Sequence, residues 1–263
     1  SGVFANEVVT DSGGIASIYR DEATHVIGAG GDTSSSAKRL RVPTVADQFR
    51  SAYPSAKIVS LSLKDRGAIP GGGVHPTLAL WLDAKAGRMV TSSAFATALP
   101  SWLSDGKNAI DREMYGQPWT MANEEWVKTH ATTKDGAPGE GNMAGLGTVF
   151  PHTITHGEHF GLAFRTTPYG DAYLLSLARD AIDHEKLGDG PSLLAVSLSS
   201  HDYIGHVFGP DSWEAWDELY RLDDSTWIHT TYKELPHDVR APRPVIASLS
   251  LGATRRFALK PRD

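Results

Sequence analysis

Two short apolar runs constrain this chain most: Lys57-Ile58-Val59-Ser60-Leu61-Ser62-Leu63 and Leu193-Leu194-Ala195-Val196-Ser197-Leu198. Each is short and largely apolar and ends in polar residues, so each reads as a buried strand. Such strands need helices above and below them. Across residues 171–185, apolar Tyr173, Leu174, Leu177, Ala178, Ala181 and Ile182 recur at three- and four-residue spacing, which predicts an amphipathic helix stopped by Gly188. Val42-Pro43-Thr44-Val45-Ala46-Asp47-Gln48-Phe49 reads as a helix start with Thr44 as N-cap, leading into the strand at Lys57. Alternating strands and helices favour α/β layering over a sandwich or a bundle. Three stretches read as loops: residues 28–36, the cluster Pro70-Gly71-Gly72-Gly73, and residues 132–147.

Composition narrows the partners. The 263 residues are 40% hydrophobic and 21% charged, enough for a substantial core. A net charge of −6 leaves no basic footprint for nucleic acid, and no charge block suggests a membrane surface. Without cysteine there is no disulfide, thiolate site or cysteine nucleophile, so any metal must be held by His and carboxylate. No run of about 18 apolar residues occurs. Ser1-Gly2-Val3-Phe4-Ala5-Asn6 shows no basic and apolar leader pattern, so an exported parent would already have lost its signal peptide. The Gly-rich pieces match neither a P-loop nor a dinucleotide fingerprint.

The strongest local signal is Ser200-His201-Asp202-Tyr203-Ile204-Gly205-His206-Val207-Phe208-Gly209-Pro210, directly after an apolar strand. Asp202 and His206 are four apart, so one helical turn brings a carboxylate oxygen and an imidazole nitrogen toward a common ion. The plainer alternative is a turn-capping Asp202 and a surface His206. A second signal is Ser60-Leu61-Ser62-Leu63-Lys64-Asp65-Arg66. In an extended segment Lys64 and Arg66 point the same way and can grip one oxyanion, and the alternative is a solvated basic pair around Asp65.

Those two blocks, together with Trp81-Leu82-Asp83, Leu99-Pro100-Ser101-Trp102-Leu103, Phe150-Pro151-His152 and Asp183-His184-Glu185-Lys186-Leu187-Gly188, resemble the Lys-x-Arg phosphatases of the alkaline phosphatase superfamily. Those enzymes are related to the nucleotide pyrophosphatase/phosphodiesterases. The blocks fall in the family's order until just after Arg221-Leu222-Asp223. The resemblance implies an α/β sandwich, a mixed and mostly parallel sheet between helices, over residues 1–223. It implies zinc as cofactor, with two ions about 4 Å apart in the complete family site. Asp202 and His206 then resemble two ligands of one zinc, while Asn6, Lys64 and Arg66 resemble the residues that hold phosphoryl oxygens. The implied substrate is a small phosphate monoester, and the implied location is outside the cytoplasm or in the periplasm.

The same resemblance places a threonine nucleophile and a metal-binding Asp ahead of the segment containing Asn6, and an adjacent Asp-His pair and a final His after Asp223. None of these has a match in this chain, which is therefore expected to be a truncated version that binds zinc weakly at most. Asp183-His184 falls within the amphipathic helix and reads as helix surface, and the hydroxyls of Thr33-Ser34-Ser35-Ser36 do not match the nucleophile's position. Residues 224–263 read as a β-rich extension. Within them, residues 242–257 resemble a strand pair of AlkB-like iron/2-oxoglutarate dioxygenases. The His-x-Asp pair of that family has no counterpart at His229-Thr230-Thr231, so a plain β-hairpin is preferred. The expected function is a metal-dependent phosphoric ester hydrolase. The alternatives are a non-catalytic phosphate-binding remnant and a fused dioxygenase fragment.

Overall fold

The computed structural model describes residues 5–10, 13–31, 34–104, 108, 110, 117–155, 157–223 and 245–251. Its centre is a mixed six-stranded sheet with the order Val245–Leu251, Ser192–Leu198, Lys57–Ser62, Leu78–Asp83, Arg88–Ser92, Val26–Ile27. The first three pairings are parallel and the last two antiparallel. The α/β class and the mostly parallel, mixed sheet follow the expectation. Both apolar runs are strands, and the central one is buried along almost its whole length.

Side-chain alternation in the central strand explains the layering. Val59 and Leu61 join the larger core with Leu80, Leu82, Leu174, Leu177 and Ala181. Ser60 and Ser62 point to the opposite face, against helix Asp65–Gly72. A Cβ on Gly67 would fall 2.3 Å from Ser62 Oγ, and one on Gly71 2.5 Å from Ser60 Oγ, so these glycines let the helix lie directly on the strand's serines. Here the expectation of a turn at Pro70-Gly71-Gly72-Gly73 is corrected. Pro70 lies within the helix, which ends only at Gly73, whose φ of 72° suits glycine. Close helix–strand packing overrides the poor helix propensity of Gly and Pro.

The other elements follow local chemistry. Thr44 caps helix Val45–Ala52 in a capping box with Asp47, as its position anticipated. Helix Pro168–His184 begins with Pro at its first turn and lays Leu174, Leu177, Ala178 and Ala181 into the core, with Asp183 and His184 exposed at its end. Helix Phe160–Arg165 packs so tightly that a Cβ on Gly161 would sit 2.1 Å from the carbonyl oxygen of Ala84. Because that neighbour is backbone, Gly161→Ala is expected to lower stability by about 2 kcal/mol in a denaturant titration. An unchanged midpoint would mean that the helix shifts at no cost.

Two pieces differ from the sequence-based expectations or extend them. Within the Gly- and Ser-rich residues 28–36, Ser34–Ser35 forms a short strand paired with Arg20–Asp21. Thr33 lies outside the described residues, as does His229. In the C-terminal stretch, Val245–Leu251 extends the sheet, parallel to Ser192–Leu198, and a hairpin partner for it would fall in residues outside those described. Among the described residues, no helix is long and apolar enough to cross a membrane.

Candidate functional site

Strands Lys57–Ser62 and Ser192–Leu198 are parallel neighbours, with Ser62 level with Ser197. The chain therefore leaves the sheet twice at the same edge, and each time it starts a helix: Asp65–Gly72 after the first strand and Ser200–Phe208 after the second. Lys64 is the N-cap residue of the first helix, and Asp202 lies in the first turn of the second. Their side chains meet, Lys64 Nζ donating to Asp202 Oδ2, although the two residues are 138 positions apart. One turn further along, His206 Nε2 stands 3.6 Å from Asp202 Oδ1, as the four-residue spacing anticipated. The His206 side chain is 78% exposed.

A cavity of about 560 Å³ opens beside this contact, and its wall includes Lys64, Arg66, Arg165, Tyr203, Ser34 and Ser35. Lys64 and Arg66 thus share one cleft, but not by the geometry expected. Lys64 has extended backbone while Arg66 already belongs to the first helical turn, so the helix start brings them together. Between them Asp65 accepts a 2.7 Å hydrogen bond from Ser35 Oγ. Burial pushes the Lys64 ammonium below the ordinary lysine range, Arg66 and Arg165 push it the same way, and Asp202 opposes them. Lys64 Nζ and Arg165 Cζ each lie 4.1 Å from the centroid of the Tyr203 ring, within cation–π range.

Asn6 is placed differently. It is exposed, just ahead of strand Glu7–Val9, and its carbonyl accepts from the Ile18 amide at 2.9 Å. The partner strand Ile15–Ser17 reaches the cavity wall, but Asn6 is not part of that wall.

The donor chemistry can be compared with that of a zinc site. Asp202 and His206 present an oxygen and a nitrogen on one helical turn, a pairing zinc accepts. Zinc takes at least three protein ligands, and among the described residues no three His, Asp or Glu side chains are grouped to hold an ion. The described residues therefore supply a pair of donors and do not complete a metal centre.

Sequence reasoning did not assign Arg165, Tyr203 or Asp171. Tyr203 lay inside the quoted block, between the two singled-out residues. Asp171 comes from helix Pro168–His184, and its oxygens accept from the Ser199 and Ser200 amides at 2.9 and 3.1 Å, so it caps helix Ser200–Phe208 from outside. Burial raises its carboxyl to about 6, opposed by these bonds and by Lys64. A signal was present: position 171 falls on the helix's apolar stripe with Leu174, Ala178 and Ala181, where a carboxylate needs a reason. Arg165 gave no comparable sign.

Together the fold and the site define an α/β protein with a cationic cleft at the carboxyl ends of parallel strands, where such sheets bind ligands. Comparison with known proteins gives the family. No family model matches the chain. Alkaline phosphatase PhoV of Synechococcus elongatus is 35% identical over 77% of this chain and 38% of its own length. A Myroides odoratus protein named calcium-transporting ATPase is 31% identical over 85% of this chain and 42% of its own length. The crystal structure of wild-type alkaline phosphatase PafA matches with a TM-score of 0.79 and 29% identity, covering 93% of this chain and 48% of that one. By sequence and by fold, the chain belongs to the alkaline phosphatase superfamily. It spans about two fifths of the length of these two curated relatives.

Proposed function

We propose that this chain is the phosphoryl-holding part of a metal-dependent phosphomonoesterase. The observation that carries the proposal is the convergence of Lys64 and Arg66 on one cavity, at the start of helix Asp65–Gly72, with Lys64 in contact with Asp202. Lys64 offers a compact charge and Arg66 a planar fork, and the helix start adds its own positive end, so a phosphoryl dianion meets complementary charge on arrival. Fixed charges of this kind are what phosphoryl transfer chiefly requires of a protein. Asp202 and His206 would contribute two ligands of one zinc ion, which when bound supplies Lewis-acid stabilisation. The role of Asn6 as a neutral donor rests on the resemblance alone. So does a location outside the cytoplasm.

Calorimetric titration of the chain with inorganic phosphate tests this directly. Binding is expected, and Arg66→Ala should weaken it about 10-fold, the usual worth of a charge-assisted hydrogen bond. Where the chain turns over ester, the same variant should impair a monoester more than a diester, because only the monoester carries the second charge. Equal losses on both remove the monoester preference, and wild-type protein that ignores phosphate removes the proposal. Zinc-dependent hydrolysis of p-nitrophenyl phosphate that Asp202→Ala abolishes would make the chain itself an enzyme. Phosphate binding with no turnover above a metal-only control would make it a binding piece.

A further inference from the structure

Arg20 and Arg165 are cations of the cavity wall that the proposed function does not use, and Arg20 already stands 3.9 Å from Glu22; Arg165 is the more distinctive. It ends helix Phe160–Arg165, which is pinned by Gly161 against Ala84 and by buried Ala163 and Phe164. The backbone behind the side chain is therefore fixed. Its guanidinium rests on Tyr203, itself in the first turn of the helix that carries Asp202. No described residue forms an ion pair with Arg165, and its buried Nε has no hydrogen-bond partner among them. Lys64, by contrast, already has Asp202.

We propose, on the basis of the phosphoryl-binding reading above, that Arg165 reads a second anionic group on the substrate, so that the site favours phosphate monoesters whose alcohol portion carries a carboxylate or another phosphate. The charge arrangement supports this. Lys64 and Arg66 serve the phosphoryl group in that reading, and Arg165 lines the same space as a further cation with no ion-pair partner among the described residues. The Tyr203 ring, 4.1 Å from Cζ, braces the guanidinium by cation–π attraction, and with Nε buried the terminal Nη1 and Nη2 donors are the pair left for a two-oxygen anion. Of the four cations on the cavity wall, Lys64 is paired with Asp202 and Arg20 stands 3.9 Å from Glu22, so a second anion on the ligand supplies the counter-charge that Arg165 lacks among the described residues.

Binding alone tests the idea, with no turnover needed. Calorimetry on the full chain would compare methyl phosphate, which has one phosphoryl group and a neutral ester, with phosphoglycolate, which adds a carboxylate. The wild-type chain is expected to bind phosphoglycolate about 10-fold tighter, and Arg165→Gln should remove that advantage while changing methyl phosphate by less than about 2-fold. Arg66→Ala should weaken both ligands. Arg165→Lys, which keeps the charge but not the fork, serves where the glutamine variant does not fold, and should lose about 3-fold on phosphoglycolate alone. If both ligands bind the wild type equally, or Arg165 variants weaken both alike, the inference is overturned and the phosphoryl-binding reading stands. If neither ligand binds, that reading falls and the inference with it.

Discussion

Replacing Asp171 with alanine is expected to lower the stability of the chain by about 2–3 kcal/mol and to loosen the start of helix Ser200–Phe208. The carboxylate is 1% exposed and satisfies two backbone amides, Ser199 and Ser200, that begin the helix carrying Asp202 and His206. Alanine leaves both amides without their acceptor in a buried place, and each such loss costs about 1–3 kcal/mol, offset in part because a costly buried charge also disappears. Chemical denaturation gives the stability change. Slower amide exchange at residues 199 and 200 in the variant than in the wild type would show that another group caps the helix.

The same residue imposes a pH dependence. Its carboxyl is raised to about 6 from an ordinary value near 4, so the folded chain holds a proton that the unfolded chain has released across that interval. The stabilisation from this proton is fully present below pH ~4 and is lost as pH rises through ~6, after which the contribution is level. Relative to Asp171→Asn, which does not titrate, the wild type should lose on the order of 3 kcal/mol between pH 4 and pH 7. Parallel stability curves for the two proteins would show that Asp171 titrates normally. Lys64 favours the charged form here, and Glu218, buried beside Asp171 and Asp217, is itself raised well above the ordinary glutamate range by its burial.

Trp119→Ala should produce the largest loss, about 3–5 kcal/mol, the range for truncating a large buried aromatic side chain. Trp119 is fully buried, and its indole Nε1 donates to Asp217 Oδ2 at 2.7 Å. Its ring centroid lies 5.3 Å from that of Phe150, 5.0 Å from His152 and 6.3 Å from Phe208. Phe208 ends the helix that carries Asp202 and His206, so the void opens behind the site. Trp119→Phe should cost less, because it refills most of the volume and forfeits chiefly the bond to Asp217. A phenylalanine variant as unstable as the alanine variant would shift the weight from packing to that hydrogen bond.

The sequence by itself determined the features that depend on near neighbours along the chain. Short, largely apolar runs with small serines among them specify strands Lys57–Ser62 and Ser192–Leu198, because a strand covered on both faces buries such a run. The three- and four-residue spacing specifies helix Pro168–His184, Thr44 specifies the start of helix Val45–Ala52, and the spacing of Asp202 and His206 fixes their approach within one turn. Local rules failed at Pro70-Gly71-Gly72-Gly73, where the fit of glycines against Ser60 and Ser62 outweighs propensity, and for Lys64 and Arg66, where a helix starts between two residues expected in extended chain. Only the tertiary structure decided which groups share the site. The meeting of Lys64 with Asp202 depends on two strands being parallel neighbours in one register, the capping by Asp171 on how two helices pack, and the entry of Arg165 on a glycine contact with a distant turn. Each of these joins residues far apart in the chain through surfaces that form only when the sheet and its helices assemble, which no local period or spacing encodes.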